Sequence, residues 1–268
     1  MKTLIVIPAR FGSTRLPGKP LALIAGQSLL SRVIDIAHQA AKGDPSIHVV
    51  VATDDQRIGD HAASLGADWV MTPESCPTGT DRVFEAAKAS GQEADFVVNL
   101  QGDAPFTPPD FVAALIDSFR AAPCDAVTPV VNLTWDELDK LRISKQTTPF
   151  SGTTAVFDPQ TGRAHWFSKN ILPALRKEAK LREASPFSPV WRHVGLYGYS
   201  RVMLERFVAL PEGTFEKLEG LEQLRVIENG FTLRCVPVSY NGRPAMTGID
   251  APEDIARAES LLSALPQP

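Results

Sequence analysis

Leu4-Ile5-Val6-Ile7 is a continuous apolar run that passes directly into the loop Pro8-Ala9-Arg10. An apolar run without polar alternation is typical of a strand that is buried on both faces of a parallel sheet. Similar runs recur at residues 48–52, 68–71, 96–100 and 126–131, and helical patterns lie between them. Because strands alternate with helices, the sequence predicts an α/β fold with a mostly parallel sheet and helices on both faces.

Three threonines mark predicted helix starts in this first part of the chain. They are Thr80, then Thr107 with prolines in the first turn, and Thr134, which can form a capping box with Glu137. Gly43 is expected to close the helix that begins near Ser28.

The pattern changes after residue 140. Residues 154–157 and 165–167 flank Asp158-Pro159-Gln160-Thr161-Gly162, which predicts a β-hairpin. Residues 174–190 are charged and contain prolines, and they predict an exposed loop or a lid. The remaining patterns predict strands at 193–199 and 233–238 and helices at 215–228 and 252–262. We therefore expect one domain, from which a hairpin-rich excursion leaves the main sheet.

Composition limits the class of protein. Hydrophobic residues make up 44% and charged residues 22% of the chain, and the formal net charge is -4. A mildly acidic protein lacks the basic surface that nucleic acid requires. The three cysteines Cys76, Cys124 and Cys235 are widely spaced, which excludes a disulfide framework and a zinc-type motif. With no run long enough for a signal peptide or a membrane span, we expect a cytoplasmic protein that does not insert into membranes.

The loop after the first strand, residues 8–20, carries the strongest chemical signal. It holds Gly12 and Gly18 together with the cations Arg10, Arg15 and Lys19. Glycines let backbone N–H groups approach an anion, and arginine forks match phosphate oxygens. Ligands of open α/β sheets bind beyond the carboxyl ends of the strands, so we favour a triphosphate site over a solvated turn. The loop is not a P-loop, because five residues separate the two glycines and Pro20 follows Lys19.

Two carboxylates are candidates for holding magnesium. Asp103 follows the fourth predicted strand, although Gly102-Asp103 is also ordinary turn chemistry. Spacing alone favours Asp250 as the N-cap of the last helix, with Pro252 in the first turn and Glu253 completing a capping box.

Two further patterns have structural and functional interpretations. The acids of helix 215–228 recur at intervals of three, which favours a solvated face over a row of acceptors for sugar hydroxyls. His193 and Tyr197 lie four residues apart on one predicted strand and so share a face. His193 could orient a substrate or take a proton, but a buried structural histidine explains the pattern equally well.

The first loop, Ile7-Pro8-Ala9-Arg10-x-x-Ser13-x-Arg15-Leu16-Pro17-Gly18-Lys19, resembles the signature of CMP-sugar synthetases. The sequence is most similar to the 3-deoxy-manno-octulosonate cytidylyltransferases, or CMP-Kdo synthetases. Further motifs follow in the family's order: Ala52-Thr53-Asp54, Thr78-Gly79-Thr80-Asp81-Arg82, Gln101-Gly102-Asp103, His193-x-Gly195-x-Tyr197-Gly198-Tyr199, Leu221-Glu222-Gln223-Leu224-Arg225 and Thr247-Gly248-Ile249-Asp250.

The resemblance implies a cytidylyltransferase of lipopolysaccharide biosynthesis with the nucleotide-diphospho-sugar transferase fold, working as a homodimer on CTP and an acidic sugar. It implies that Asp103 and Asp250 bind Mg²⁺, which replaces the cap interpretation of Asp250, and that Lys19 acts with them in catalysis. The implied nucleotide-binding residues are Pro8, Ala9, Arg10, Ser13, Lys19, Arg82 and Gln101. The implied sugar-binding residues are Gln101, Lys169, His193, Tyr197, Glu222 and Gln223. Within the single domain 1–268, residues 1–140 would bind the nucleotide, 141–230 would bind sugar and form the dimer, and 231–268 would return to the main sheet.

The sequence departs from the family on the sugar side. Ala104 replaces a usual glutamate, Thr153-Thr154 replaces a Val-Lys pair, and Lys169 replaces an arginine. The acceptor is therefore expected to be Kdo or a modified Kdo. Two alternatives stay open: a synthetase for CMP-sialate or another CMP-ulosonate, and a nucleotide-binding regulator without catalysis. Retention of both Asp103 and Asp250 argues against the regulator.

Overall fold

The computed structural model describes residues 1–245 and 248–263, in two compact units. The first unit comprises Met1–Ile116 with Tyr240–Pro268, and the second comprises Asp117–Ser239. These bounds differ from the predicted 1–140, 141–230 and 231–268, because the strand at residues 126–134 belongs to the second unit.

The regular elements alternate between strand and helix through the first half of the chain. They are β1 (Thr3–Ala9), a 3₁₀ helix (Lys19–Leu21), β2 (Leu23–Ile24), β3 (Gln27–Ser28), α1 (Leu29–Ala41), β4 (Ile47–Thr53), α2 (Gln56–Ser64), β5 (Asp68–Met71), α3 (Gly79–Ala89), β6 (Phe96–Asn99), α4 (Pro109–Ala121), β7 (Ala126–Thr134) and α5 (Trp135–Thr147). The remaining elements are β8 (Thr154–Phe157), β9 (Ala164–Ser168), α6 (Glu178–Ala184), β10 (Phe187–His193), β11 (Tyr197–Ser200), α7 (Arg201–Ala209), α8 (Thr214–Glu219), α9 (Gln223–Glu228), β12 (Leu233–Val238) and α10 (Pro252–Ser263).

The first unit is built on parallel strands in the order β5-β4-β1-β6. Leu4, Ile5, Val6 and Ile7 of β1 have no exposed side-chain surface, which confirms the strand buried on both faces. Helices α1, α2 and α3 pack around these strands. The α/β class is therefore confirmed, and the carboxyl ends of β1, β4 and β6 lie at one edge of the sheet.

The second unit is centred on β7. Strands β10 and β11 pair antiparallel with successive parts of β7, and β12 pairs parallel with it. The predicted hairpin is present as β8 and β9, and β8 also pairs with β10. The hairpin-rich part of the chain therefore joins the mixed strands around β7.

Several predicted boundaries are wrong in the second unit. Residues 174–190 contain α6 and the start of β10 rather than only a loop or lid. The single strand expected at 193–199 is two strands, β10 and β11. The helix expected at 215–228 ends after Glu219, because Gly220 adopts a left-handed conformation (φ 62°), and α9 then starts a new helix.

The predicted helix starts are confirmed in part. The capping box of Thr134 with Glu137 is confirmed. The cap of α3 is Thr78 with Asp81, and Thr80 lies inside the helix. Helix α4 begins at Pro109 rather than at Thr107. None of the helices in the described residues is long and apolar enough to span a membrane.

Candidate functional site

A cavity of about 260 Å³ lies in the first unit beyond the carboxyl ends of β1 and β6. All nine residues that the sequence assigned to nucleotide or magnesium line it: Pro8, Ala9, Arg10, Ser13, Lys19, Arg82, Gln101, Asp103 and Asp250. Other parts of its wall come from Arg15 and from residues 76–79 before α3. The structure therefore brings together, from four segments distant in sequence, the residues expected to act on a triphosphate.

The loop that follows β1, residues 10–19, is organised around Phe11. The Phe11 N–H donates to Asp54 Oδ1 at 3.1 Å, and the Gly18 N–H donates to the Phe11 carbonyl at 3.0 Å. Gly18 has φ 67°, and a Cβ there would lie 3.1 Å from the Phe11 ring, so the position suits glycine. The guanidinium of Arg57 stacks 3.6 Å from the ring centroid of Phe11. These contacts hold the backbone of the loop before any ligand binds.

Arg82 is already paired within the protein. Its Nη2 donates to Asp54 Oδ2 at 2.8 Å and its Nη1 donates to Thr72 Oγ1 at 2.6 Å, and the residue is only 3% exposed. Asp54 therefore uses one carboxylate oxygen for the loop and the other for Arg82. Asp54 thus balances the charge of Arg82 in the cavity wall, and Arg10, Arg15 and Lys19 bring three further cations to the same cavity that are suited to phosphate oxygens.

Two carboxylates of the cavity converge on one ammonium group. Lys19 Nζ donates to Asp103 Oδ2 at 3.0 Å and to Asp250 Oδ1 at 3.2 Å, and Arg15 Nη2 lies 3.3 Å from Asp250 Oδ2. Gly248 allows this approach, since a Cβ there would lie 3.2 Å from the Asp103 carboxylate. The backbone N–H of Ile249 donates to the Asp103 carbonyl at 2.8 Å.

The interpretation of Asp250 as a cap with Glu253 is wrong. The acid that accepts from the backbone at the start of α10 is Asp254, which bonds the N–H groups of Asp250 and Ala251 at 2.8 and 3.0 Å. The carboxylate of Asp250 is directed to Lys19 and Arg15 instead. Thr247 of the same motif lies outside the described residues.

The donor set fits a divalent cation that is shared with a phosphate. Among residues 1–245 and 248–263, no group of three or more His, Cys, Asp or Glu side chains could hold a metal on its own. Two hard carboxylate ligands, which already attract one cation, are what magnesium commonly takes from a protein when phosphate and water supply its other ligands. Asp103 and Asp250 would therefore hold the ion together with a bound nucleotide.

A polar cluster in the second unit contains His193, Tyr197 and Gln223. The His193 and Tyr197 rings are 5.5 Å apart although the two residues end and begin different strands. Tyr197 Oη donates to Gln223 Oε1 at 3.0 Å. Gln223 is 1% exposed, and within the described part of the chain its Nε2 has no hydrogen-bond partner. A buried unpaired donor is costly, so this amide is suited to a ligand oxygen.

His193 is held as a neutral imidazole. Thr128 Oγ1 donates to the Leu196 carbonyl at 2.8 Å and lies 2.8 Å from His193 Nε2, so the hydroxyl accepts from Nε2–H. Burial, with a smaller effect of the Lys169 charge, lowers the pKa of His193 to about 3. The imidazole therefore presents Nδ1 as an acceptor, which suits orienting a hydroxyl better than taking a proton. Burial and the charge of Glu222 raise the pKa of Tyr197, which keeps its phenol protonated.

The other residues predicted to bind the sugar do not all lie in one unit. Gln101 lies in the first unit, and Lys169, Glu222 and the polar cluster lie in the second. The prediction that the acids of residues 215–228 form a solvated face is wrong, because Glu216 is buried and accepts from Arg225 through both oxygens at 2.8 and 2.6 Å. Thr154 is fully buried, and its hydroxyl donates to the Asn170 carbonyl at 2.7 Å. The departure at this position is therefore accounted for by backbone contacts.

Comparison with known proteins agrees with this arrangement. The family model described as cytidylyltransferase matches residues 4–235. The chain is 45% identical over 265 residues to the 3-deoxy-manno-octulosonate cytidylyltransferase of Maricaulis maris, covering 98% of each chain. It is 38% identical over 263 residues to the protein of that name from Desulfatibacillum aliphaticivorans, covering 98% of this chain and 99% of the other. The chain belongs to the 3-deoxy-manno-octulosonate cytidylyltransferase family.

Solved structures agree with the family at the level of the fold. A structure of CMP:2-keto-3-deoxy-manno-octonic acid synthetase complexed with CTP superimposes with a TM-score of 0.81 at 31% identity, covering 98% of this chain and 99% of that one. A cytidylyltransferase from Leptospira borgpetersenii shares the fold at 18% identity, with a TM-score of 0.61, covering 100% of this chain and 89% of that one. As a member of this family, the protein is a nucleotidyltransferase.

In this cytidylyltransferase, Phe11, Asp54 and Arg57 support the loop but were not identified from the sequence as supporting residues. The motif containing Asp54 was visible in the sequence, but its pairing with Phe11 and Arg82 spans 43 and 28 positions. Only the fold brings such distant residues together. The sequence therefore marks Asp54 as part of a family motif, but it does not indicate that Asp54 supports the loop.

Proposed function

We propose that the protein transfers CMP from CTP to 3-deoxy-manno-octulosonate (Kdo) and releases pyrophosphate. The observation that carries this proposal is the cavity in which three cations, Arg10, Arg15 and Lys19, meet the two carboxylates Asp103 and Asp250. That combination suits a triphosphate bound with a divalent cation. Relatives along the whole chain are named for the same reaction class.

Catalysis would consist mainly of positioning and charge neutralisation. The anomeric hydroxyl of the sugar acid attacks the α-phosphate of CTP, and the bond from that phosphorus to the pyrophosphate oxygen breaks. Arg10 and Ser13 hold the phosphates, and Lys19 neutralises charge that develops on the departing pyrophosphate. Mg²⁺ held by Asp103 and Asp250 would supply further positive charge to the phosphate oxygens.

The second unit would supply the sugar contacts. Gln223 Nε2 is a buried donor without a partner in the described residues, His193 Nδ1 is an acceptor, and Lys169 is a cation suited to the sugar carboxylate. Donor, acceptor and cation are complementary to the hydroxyls and carboxylate of an ulosonic acid. Glu222 lies close enough to Tyr197 to affect its pKa and completes the polar surroundings.

CTP should be preferred over ATP and GTP. The cavity is lined by Pro8, Ala9 and residues 76–79 before α3, and a purine would need space for a second ring against this wall. We expect kcat/KM for CTP to exceed that for either purine triphosphate by about 10²-fold or more, since steric exclusion and unpaired polar groups combine. Pyrophosphate release with Kdo as acceptor measures this ratio. Comparable turnover with ATP would contradict the assignment to cytidylyl transfer.

Kdo itself is the first expected acceptor, with an amino analogue of Kdo as the alternative. The Thr154 hydroxyl is bonded to backbone groups, so this one of the three sugar-side departures needs no change of acceptor. Comparing kcat/KM for Kdo, its amino analogues and sialic acid tests this. A preference for sialic acid would defeat both versions, and activity only on an aldose 1-phosphate would defeat the whole acceptor class.

The proposal extends to the oligomeric state of the protein, its location in the cell and the pathway that uses its product. The expected assembly is a homodimer, and Phe150, Phe187 and Phe215 of the second unit are exposed apolar side chains that such an interface would bury. The use of CTP and the widely spaced cysteines support a cytoplasmic location. A product that activates Kdo would serve lipopolysaccharide biosynthesis. The rival role, a regulator that binds CTP without turning it over, predicts no pyrophosphate release in the same assay.

A further inference from the structure

The backbone of Lys169 is held at both its N–H and its carbonyl by charged side chains. Its N–H donates to Glu219 Oε2 at 2.7 Å, and its carbonyl accepts from Lys145 Nζ at 2.5 Å. The second oxygen of Glu219, Oε1, accepts from Ser168 Oγ at 2.8 Å. Hydrogen bonds to charged groups are the strong ones, so the residue that follows β9 has a well-defined backbone position.

Lys145 is fully engaged in holding backbone. Besides the Lys169 carbonyl, its ammonium contacts the carbonyls of Pro149, Ser151 and Gly152 at 3.2, 2.5 and 3.1 Å. An ammonium has three protons, so four acceptors leave none for a ligand. Lys145 therefore joins the end of α5 and the loop that follows it to the segment after β9.

Asn170 and Leu172 are held by uncharged side chains. The Asn170 N–H donates to Ser168 Oγ at 3.0 Å, and its carbonyl accepts from Thr154 Oγ1 at 2.7 Å. The same Thr154 oxygen accepts from the Leu172 N–H at 3.1 Å. Four side chains from separate elements thus order the backbone from Ser168 to Leu172, which is more support than a solvent-exposed connection needs.

The side chain of Lys169 contrasts with its backbone. In residues 1–245 and 248–263 no hydrogen bond or ion pair involves its Nζ, although both backbone groups are paired. Its positive charge contributes to lowering the pKa of His193 and the pKa of Lys145, so the ammonium lies near both. Lys169 is thus a cation without a counter-ion, it lies next to a neutral histidine, and two charged residues hold its backbone. Such an arrangement is suited to binding an anion.

We infer that Lys145 and Glu219 are positioning residues that fix the Lys169 peptide, so that the Lys169 ammonium can bind the carboxylate of the acidic sugar. The inference rests on the proposed function, in which Lys169 contacts the sugar acid. Neither Lys145 nor Glu219 needs to touch the substrate, because each acts on the Lys169 peptide. Their loss should weaken sugar binding and leave CTP binding unchanged, since the CTP cavity is lined by other residues.

The test is a double-mutant cycle in the full-length protein. Lys169→Met should raise KM for Kdo by about tenfold or more with little change in KM for CTP, because a charge-assisted contact is lost. Lys145→Met should raise KM for Kdo by a similar factor, since a displacement of about 1 Å at a binding group can cost that much. Adding Lys145→Met to Lys169→Met should cause no further rise, because the second change acts only through the first.

Three variants complete the design. Lys140→Met removes an exposed lysine from the same helix and should leave both KM values unchanged. Glu219→Ala should reproduce the Lys145→Met effect, while Glu219→Gln, which still offers an oxygen to the Lys169 N–H, should restore most of the Kdo affinity. The Glu219 pair keeps the test valid if Lys145→Met does not fold, as judged by circular dichroism.

The possible failures are distinguishable. If Lys169→Met leaves KM for Kdo unchanged, the proposed sugar contact is wrong and the inference fails with it. If Lys169→Met raises that KM but the Lys145 and Glu219 changes do not, or add to it independently, the sugar contact stands and the positioning role is wrong. Equal increases in KM for CTP and for Kdo would indicate a general structural role and would also overturn the inference.

Discussion

Asp250→Asn is expected to lower kcat by about 10²-fold or more while the protein stays folded. The substitution keeps the shape of the side chain and removes its charge. Asp250 accepts from Lys19 and lies 3.3 Å from Arg15, so the amide removes the counter-ion of Arg15 and one of the two counter-ions of Lys19. Lys19 keeps its contact with Asp103 at 3.0 Å. The substitution also removes one of the two carboxylates suited to a divalent cation that neutralises the phosphates. Pyrophosphate release at saturating CTP and Kdo gives kcat, and thermal unfolding reports the fold.

The same substitution distinguishes a role that needs the charge of Asp250 from a purely structural one. Asparagine keeps the shape and hydrogen-bonding capacity near the start of α10, so a purely structural residue would tolerate the change. Asp103→Asn, at the other carboxylate of the pair, should have an effect of the same order. Asp60→Asn provides the matched control, because Asp60 is exposed on α2 and bonds only Gln56 among the described contacts. Near-normal kcat in Asp250→Asn would return this residue to a structural role.

Much of the first unit could be predicted from local pattern, because its elements are defined by short-range chemistry. The four apolar residues of β1 are buried on both faces, and α1 ends near the predicted Gly43 with Lys42 left-handed. The second unit was harder, since its strands are joined by short connections. Between His193 and Tyr197 the Leu196 N–H donates to the Val194 carbonyl at 2.7 Å, and the two residues belong to strands that pair with different parts of β7.

The sequence analysis missed those site residues whose partners lie far away in the sequence. The family motifs located the lining of the cavity, but Asp54 and Glu219 take their roles from partners 28 to 51 positions away. The helix with periodic acids illustrates the same limit. Spacing predicted a solvated face, whereas Gly220 breaks the helix, Glu216 turns inward to Arg225, and Glu219 bonds Lys169. Charge periodicity describes a surface only while the helix is continuous.

Lys19→Met is the second substitution with a large expected effect. Its ammonium, 15% exposed, lies between the two carboxylates of the cavity and beside the loop that would hold phosphate. Methionine preserves length and apolar contacts but leaves Asp103 and Asp250 facing each other without that cation, and it removes a donor for the triphosphate. We expect kcat/KM for CTP to fall by about 10²-fold, the size of a lost charge-assisted hydrogen bond, with any further loss due to repulsion between the carboxylates.

A comparison with Arg10→Lys distinguishes a phosphate role from a purely structural one. Arg10 is exposed at the mouth of the same cavity, and lysine keeps its charge but cannot reproduce a two-pronged contact with phosphate oxygens. If the loop holds the triphosphate, Arg10→Lys should raise KM for CTP without lowering the melting temperature. Lys2→Met, at the opposite end of β1, is the matched control and should change neither quantity. Near-normal kinetics in both Lys19→Met and Arg10→Lys would mean that the loop does not bind the triphosphate, and cytidylyl transfer would then need another phosphate site.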